Sequence, residues 1–273
     1  MFKKLLFTTA ALAIIATPGF AADMPLKAVK APPPVPVFNW TGFYIGGFVG
    51  GAWTDHAESA SDPRSAAGVF YNGPLNTGYG LQSGFLGGGT VGYNWQAPGS
   101  PWVIGLEGEG GYLHVRGSAQ DINAALTGLA LPDSINTSRI GDAYGVIAGR
   151  VGYAWDRALF YAKGGVAFVG DSYNFNDSCT TGGCGSGALF MGHNDTQVTY
   201  AVGGGMEYAL DFNWSIKAEY LFLGTQKTYT QSGLVTAGGA TGTLFTNTNS
   251  DPNIQTFKFG VNYRWGGPIM AKY

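Results

Sequence analysis

Three near-copies of one short pattern constrain this chain most: Val91-Gly92-Tyr93-Asn94-Trp95, Val151-Gly152-Tyr153-Ala154-Trp155 and Val261-Asn262-Tyr263-Arg264-Trp265. In each, the large apolar side chains occupy alternate positions, which puts all of them on one face of an extended strand. A helix would scatter them around its axis. Turn residues or the chain end follow at once: Gln96-Ala97-Pro98-Gly99, Asp156-Arg157 and Gly266-Gly267-Pro268. Strands that end on a Tyr and a Trp one rung apart have the layout of a membrane-interface aromatic belt.

Around these endings the chain divides into eight alternating segments, over residues 40–53, 85–95, 102–116, 141–155, 158–173, 196–210, 214–223 and 254–265. Each is long enough for a tilted transmembrane strand. The connections alternate in length. Residues 96–101, 156–157 and 211–213 are short turns, whereas 54–84, 117–140, 174–195 and 224–253 are long loops. The expected fold is therefore all-β, an eight-stranded antiparallel up-and-down transmembrane β-barrel with four long extracellular loops and short periplasmic turns. An even strand count places both barrel termini in the periplasm.

Composition agrees with that architecture. Charged residues make up only 12% and aromatics 14%, while Gly supplies 45 of 273 residues. Lipid-facing strands exclude charge, and glycine lets strands bend and leaves room in a narrow lumen. A net charge of −2 offers no basic field for nucleic acid. Lys3 and Lys4, an apolar run to Ile15 and the small residues before Ala22 read as a secretory signal over residues 1–21, cleaved near Ala21. A retained signal anchor is the alternative, although the run is too short to span a bilayer as a helix. Residues 22–38 hold a proline-rich periplasmic leader, 39–265 the barrel and 266–273 a C-terminal tail.

The eighth segment assigns the two faces. Phe257, Phe259, Val261, Tyr263 and Trp265 face lipid, so Lys258, Asn262 and Arg264 face inward. The same rule turns Glu107, Glu109, Arg150, Lys163, Glu207, Lys217 and Glu219 inward. Four acids against five bases predict a salt-bridged, filled lumen, since eight strands enclose little more than side chains. The carboxylates alternate with bases and have no nucleophile beside them, so no catalytic residue is expected. Trp40, Tyr93, Trp95, Trp102, Tyr153, Trp155, Trp214, Tyr263 and Trp265 are expected in the periplasmic aromatic girdle. Trp53 alone of the tryptophans lies at the opposite end.

Cys179 and Cys184 close a small loop that, in an exported protein, reads as a disulfide. A zinc site would need two further ligands, and none stands at suitable spacing. Gly87-Gly88-Gly89 and Gly203-Gly204-Gly205 lie in mid-strand without the Gly-Lys-Ser/Thr of a phosphate loop. His56, His114 and His193 all fall toward the exterior and are weak surface ligand candidates. No metal or cofactor is expected.

The opening Asn39-Trp40-Thr41-Gly42-Phe43-Tyr44-Ile45-Gly46-Gly47, the Gly-Tyr-Asn-Trp ending at Trp95 and the final Phe259-Gly260-Val261-Asn262-Tyr263-Arg264 resemble small outer-membrane "porin family" surface antigens of alphaproteobacteria. These are barrels related in architecture to the OmpA transmembrane domain, and some are described as haemin-binding. The resemblance covers nearly the whole mature chain. It implies location in the cell outer membrane, among lipid and lipopolysaccharide, and delivery by the barrel-assembly machinery. One departure is the tail after Trp265, where such barrels commonly finish on an aromatic residue. Gly266-Gly267-Pro268 breaks the strand pattern, so Trp265 is expected to end the barrel and the tail to be tolerated in the periplasm; the alternative is that Tyr273 replaces Trp265 in the assembly signal. The expected role is non-enzymatic: envelope integrity and surface interaction, with host or surface partners reached through the long loops. The alternative is a narrow diffusion pore or a haemin or small-ligand receptor.

Overall fold

The computed structural model describes residues 38–54, 58–62, 75–79, 81–120, 134–178, 188–234, 242 and 244–265. The expected signal segment, most of the proline-rich leader, the C-terminal tail, His56 and both cysteines lie outside the described residues. No helix among those described is long and apolar enough to cross a membrane.

Eight strands close a barrel: β1 (Gly42–Thr54), β4 (Gly84–Gln96), β5 (Trp102–Gln120), β6 (Ser134–Trp155), β7 (Ala158–Ser178), β8 (Ala188–Ala209), β9 (Trp214–Leu223) and β12 (Ile254–Trp265). Each pairs antiparallel with its neighbours in chain order, and β1 pairs with β12 to close the ring, Val49 opposite Phe259 and Phe43 opposite Trp265. Closure leaves no open edge, which a bilayer demands because its hydrocarbon offers backbone groups no partners. The alternation within each strand decides what faces where. On β12, Phe257, Phe259, Val261 and Trp265 are exposed on the outside, while Lys258 and Asn262 between them are fully buried. At the short-turn end, Trp102 meets Tyr153 edge-on at 5.6 Å and Tyr263 packs against Trp214 and Trp265 at 5.0 and 5.4 Å.

The short turns are secured locally. Asp156 adopts φ 53 to reverse the chain between β6 and β7. Asp211 accepts the backbone N–H groups of Asn213 and Trp214, both at 2.7 Å, and these two hydrogen bonds hold its exposed carboxyl below the usual carboxylate range.

Two expectations are corrected at this end. Trp40 does not join the lipid-facing girdle: it is only 1% exposed and lies inside, packed with Val103, Leu159, Tyr161 and Ala209. The segment before β1 folds across the lumen, anchored by the Trp40 N–H on Gln96 Oε1 at 2.8 Å, so the indole becomes a floor rather than part of a belt. Arg264 points inward but stands outside the ion network. Its guanidinium stacks over Phe38 and Trp40, 4.6 and 5.1 Å from the ring centroids, and donates to the Phe212 carbonyl at 3.1 Å.

The long-loop end also departs from a set of simple loops. β6, β7 and β8 continue well past the apolar band, and two long connections form further strands. These are β2 (Glu58–Asp62), β3 (Leu75–Tyr79), β10 (Thr228–Leu234) and β11 (Leu244–Ser250), paired in the order β10-β11-β2-β3 as a second, four-stranded sheet. At the rim β6 is bulged. Its pairing with β7 breaks between Ile140 and Tyr144, where Gly141 has φ 115 and Asp142 φ 65.

Candidate functional site

The lumen is filled in layers. Lowest is the aromatic floor of Trp40 with Val103, Leu159 and Ala209. Above it lies a layer of charge: Glu107 and Glu109 from β5, Arg150 from β6, Lys163 from β7, Glu207 from β8, Lys217 and Glu219 from β9 and Lys258 from β12. Each sits at an inward rung of its strand, and adjacent strands place these rungs side by side: Lys163 beside Arg150, Lys217 beside Glu207, Lys258 beside Glu219. An apolar lid of Leu86, Leu113, Val115, Ile140, Val169, Leu221, Leu223 and Ile254 covers the layer from above.

Lys163 is the centre of the layer. Its ammonium donates to Glu107, Glu109 and Glu219 at 2.6, 2.9 and 3.0 Å, and all four side chains are 0% exposed. Those three carboxylates lie within 4.8 Å of one another, a spacing that also suits a metal ion. In this chain the Lys163 ammonium sits among them, so a cation already neutralises the cluster. Lys258 bridges Glu109 and Glu219, and Lys217 reaches Glu107 at 3.3 Å. Arg150 donates through both terminal nitrogens to Glu207 at 3.3 Å and lies 3.5 Å from Glu107. Four acids thus meet four bases out of water, the condition under which buried charge is tolerated.

Hydrogen bonds complete the layer with Asn262, already assigned inward, and with further residues that face-counting left unassigned. Tyr44, Tyr144 and Tyr161 each donate at 2.7 Å to one carboxylate, respectively Glu107, Glu109 and Glu219. Ser215 and Asn262 donate to Glu207 at 2.5 and 2.9 Å, and Asn94 accepts from Arg150 Nε at 2.8 Å. The Arg150 guanidinium is held between the Tyr44 and Tyr161 rings, 4.8 and 5.0 Å from their centroids. A signal was available: Tyr144 shares strand parity with Arg150, and Tyr161 with Lys163.

Of the histidine candidates, His114 packs on Tyr112, which meets its Nδ1 at 2.5 Å, near the outer end of β5. His193 lies instead on β8 with its ring 5.3 Å from Tyr229 of β10, and its Nε2 is buried without a hydrogen-bond partner. They have different surroundings and form no common ligand set. The Tyr229 phenol is pushed up by burial and by the neighbouring Asp171 carboxylate.

Comparison with known proteins places this architecture. Residues 7–264 match the family model described as "Outer membrane protein beta-barrel domain". The chain is 31% identical over 261 residues to the 31 kDa outer-membrane immunogenic proteins of Brucella melitensis biotype 1 and Brucella suis biovar 1, an alignment covering 93% of this chain and 96% of each relative. Among solved structures it is similar to the outer membrane protein OprG of Pseudomonas aeruginosa, with 14% identity, a TM-score of 0.42, and coverage of 85% of this chain and 100% of that one. On the family match over residues 7–264 and the Brucella relatives, the chain belongs to the outer-membrane β-barrel family and resides in the cell outer membrane.

Proposed function

We infer that the protein is a non-enzymatic outer-membrane barrel that contributes to envelope integrity and carries a surface-interaction platform above the outer leaflet. The observation carrying this reading is the closed charge layer around Lys163, whose members are fully buried between an aromatic floor and an apolar lid. A conducting lumen needs a continuous hydrated path, and a layer with every charge paired against another protein group gives ions no coordination to exchange. Catalysis fits no better. Each carboxylate is engaged by a lysine or arginine and by a Tyr, Ser or Asn donor, so none is available as a general base. Meanwhile β2, β3, β10 and β11 form an ordered sheet beyond the membrane band, a better basis for contact with other surfaces than mobile loops would be.

The test is electrical. Purified full-length protein inserted in planar bilayers should give no reproducible single-channel conductance of porin size. Steady conductance that changes when Lys163 is replaced would overturn the filled-barrel reading in favour of a narrow pore.

A further inference from the structure

Most of the described lysines and arginines are committed elsewhere. Arg150, Lys163, Lys217, Lys258 and Arg264 are buried in the lumen, Arg157 lies at a short turn, and Lys227 covers the Tyr229 ring at the mouth. Arg116 and Arg139 remain, and they stand directly opposite one another on β5 and β6. Their neighbours fix the direction. Val115, Ser138 and Ile140 are buried inside, so both arginines point outward.

Their height follows from the same strands. On β5 the outward apolar side chains run from Trp102 through Ile104 and Leu106 to Tyr112, the full length of a tilted transmembrane strand. His114, packed on Tyr112, and then Arg116 follow. The two guanidiniums therefore lie where hydrocarbon gives way to the headgroups of the outer leaflet. Like charges directly opposite on neighbouring strands destabilise a sheet. Asp142 offsets one of them, 3.1 Å from Arg139, but the two side chains are 41% and 42% exposed, where an ion pair is weak. Among the described residues no carboxylate lies within ion-pair distance of Arg116. Two guanidiniums against one carboxylate leave a net charge of +1 on this part of the wall.

Below the pair the wall is bare. Gly47, Gly89, Gly110 and Gly145 pair in turn across β1, β4, β5 and β6, all on lipid-facing rungs. The interior does not demand glycine there, since a Cβ would meet no atom nearer than 3.8, 3.5, 3.9 and 3.6 Å respectively. At the inward Gly111, by contrast, such a Cβ would lie 2.4 Å from the Gly87 carbonyl oxygen. Glycine weakens a strand interior and often marks a place where another group approaches closely. The row is four strands wide, about 14 Å. At Gly47 it meets an apolar recess of about 730 Å³ bounded by Val49, Ala218, Phe259 and Val261.

We propose that this face binds a phosphorylated, multiply acylated glycolipid of the outer leaflet. Arg116 and Arg139 clamp one headgroup phosphate, whose charge relieves their repulsion, and the acyl chains lie side by side over the glycine row. Guanidinium forks match phosphate oxygens in bidentate geometry. A free anion would use the arginines but not the row, and a second copy of the chain would use the row but not the arginines. Both features occur on the same pair of strands, one at headgroup height and one in the hydrocarbon, which is the layout of a single lipid.

The test is native mass spectrometry of full-length protein released from phosphatidylethanolamine nanodiscs. The discs are doped with diphosphoryl lipid A or, at equal mole fraction, with phosphatidylglycerol. Wild-type protein should retain lipid A in preference to phosphatidylglycerol. The double variant Arg116→Gln/Arg139→Gln changes only outward side chains and should retain about ten-fold less lipid A. Gly110→Leu projects its side chain into lipid rather than into the fold, and should lower retention several-fold while the barrel forms normally. Asp142→Asn removes the competing carboxylate at a φ of 65 that Asn also tolerates, and should retain at least as much as the wild type. Equal retention of phosphatidylglycerol, displacement by inorganic phosphate, retention unaltered in the arginine variant or in Gly110→Leu, or retention lowered in Asp142→Asn each overturns the proposal. So does a lipid-free dimer that Gly110→Leu abolishes.

Discussion

Replacing Lys163 by Met isolates the energetics of the charge layer. Methionine keeps most of the side-chain length and removes the ammonium that Glu107, Glu109 and Glu219 share. Among the eight charges of the layer the balance then shifts from zero to −1. Three carboxylates remain within 4.8 Å of one another. At that separation each pair repels by about 3.5 kcal/mol at an effective dielectric constant of about 20. Lys258 still bridges Glu109 and Glu219, and Lys217 and Arg150 still hold Glu107, so part of this repulsion stays offset. The net loss should be about 3–5 kcal/mol, the range for removing one partner of a buried ion pair. Urea unfolding of barrels reconstituted in lipid vesicles, followed by tryptophan fluorescence, reads it directly. The double variant Lys163→Met/Glu109→Gln removes a negative charge as well and should regain about half of that loss. A single-variant loss below about 1 kcal/mol, or a double variant no more stable than the single, would refute the argument that these charges are dry and mutually paired.

Trp40→Ala removes the floor, strips the Arg264 guanidinium of one of its two rings, and should cost about 3–5 kcal/mol in the same unfolding assay. Trp155→Ser, by contrast, alters a 76% exposed residue on the lipid side. It should leave the lumen intact and change mainly quenching by brominated lipids, because Trp155 sits at the interface. Asp211→Ala should remove an acid-side component of stability. The folded carboxyl titrates below its unfolded value, so its contribution is present above the unfolded pKa and lost as pH falls through the lowered folded one. Carboxyl NMR titration of the wild type should accordingly show Asp211 titrating lower than an unperturbed aspartate. Gly165→Ala would place a Cβ 2.0 Å from the Ile147 carbonyl oxygen and 2.5 Å from Ala148 Cα. Backbone must move there, so impaired folding yield or a loss of about 1–3 kcal/mol is expected in the refolding assay.

The barrel was legible because two independent signals coincide in the chain. Alternation marks strands, and Asp156-Arg157 or Asp211-Phe212-Asn213 are too short to be anything but hairpin turns. Where only one face is apolar, parity also assigns sides, as on β12. On β1 it does not: Tyr44 and Phe48 point inward while Phe43, Ile45 and Val49 point to lipid. Large apolar side chains on both faces erase the distinction, and so Trp40 reads as a girdle residue although its rung is inward. Arg264 follows the same logic one step on. Its inward direction was legible, but its aromatic partners come from a segment whose course across the lumen no local pattern encodes. The upper strands fade for a different reason. Above the bilayer the sequence loses its alternation: Asn136-Thr137-Ser138-Arg139 holds no large apolar residue, and Leu189-Phe190-Met191 runs apolar on consecutive positions, so neither stretch marks one face. The second sheet escapes altogether, because β2 and β11 are joined only by pairing between distant loops.

The distribution of unpaired polar atoms separates the barrel into parts under different demands. In the charge layer, the carboxylate oxygens of Glu107, Glu109, Glu207 and Glu219 all accept from named donors, often two or three apiece. Buried side-chain atoms without a partner occur instead, among the described residues, at the floor, on Trp40 and Arg264, and at the mouth, on His193 and Gln231. A network at the membrane midplane that left one carboxylate oxygen unpaired would lose several kcal/mol with no water to compensate. At the mouth the same deficit lies beyond the hydrocarbon, where water can supply the missing hydrogen bond. The fold can therefore tolerate unfinished polar chemistry only at its ends.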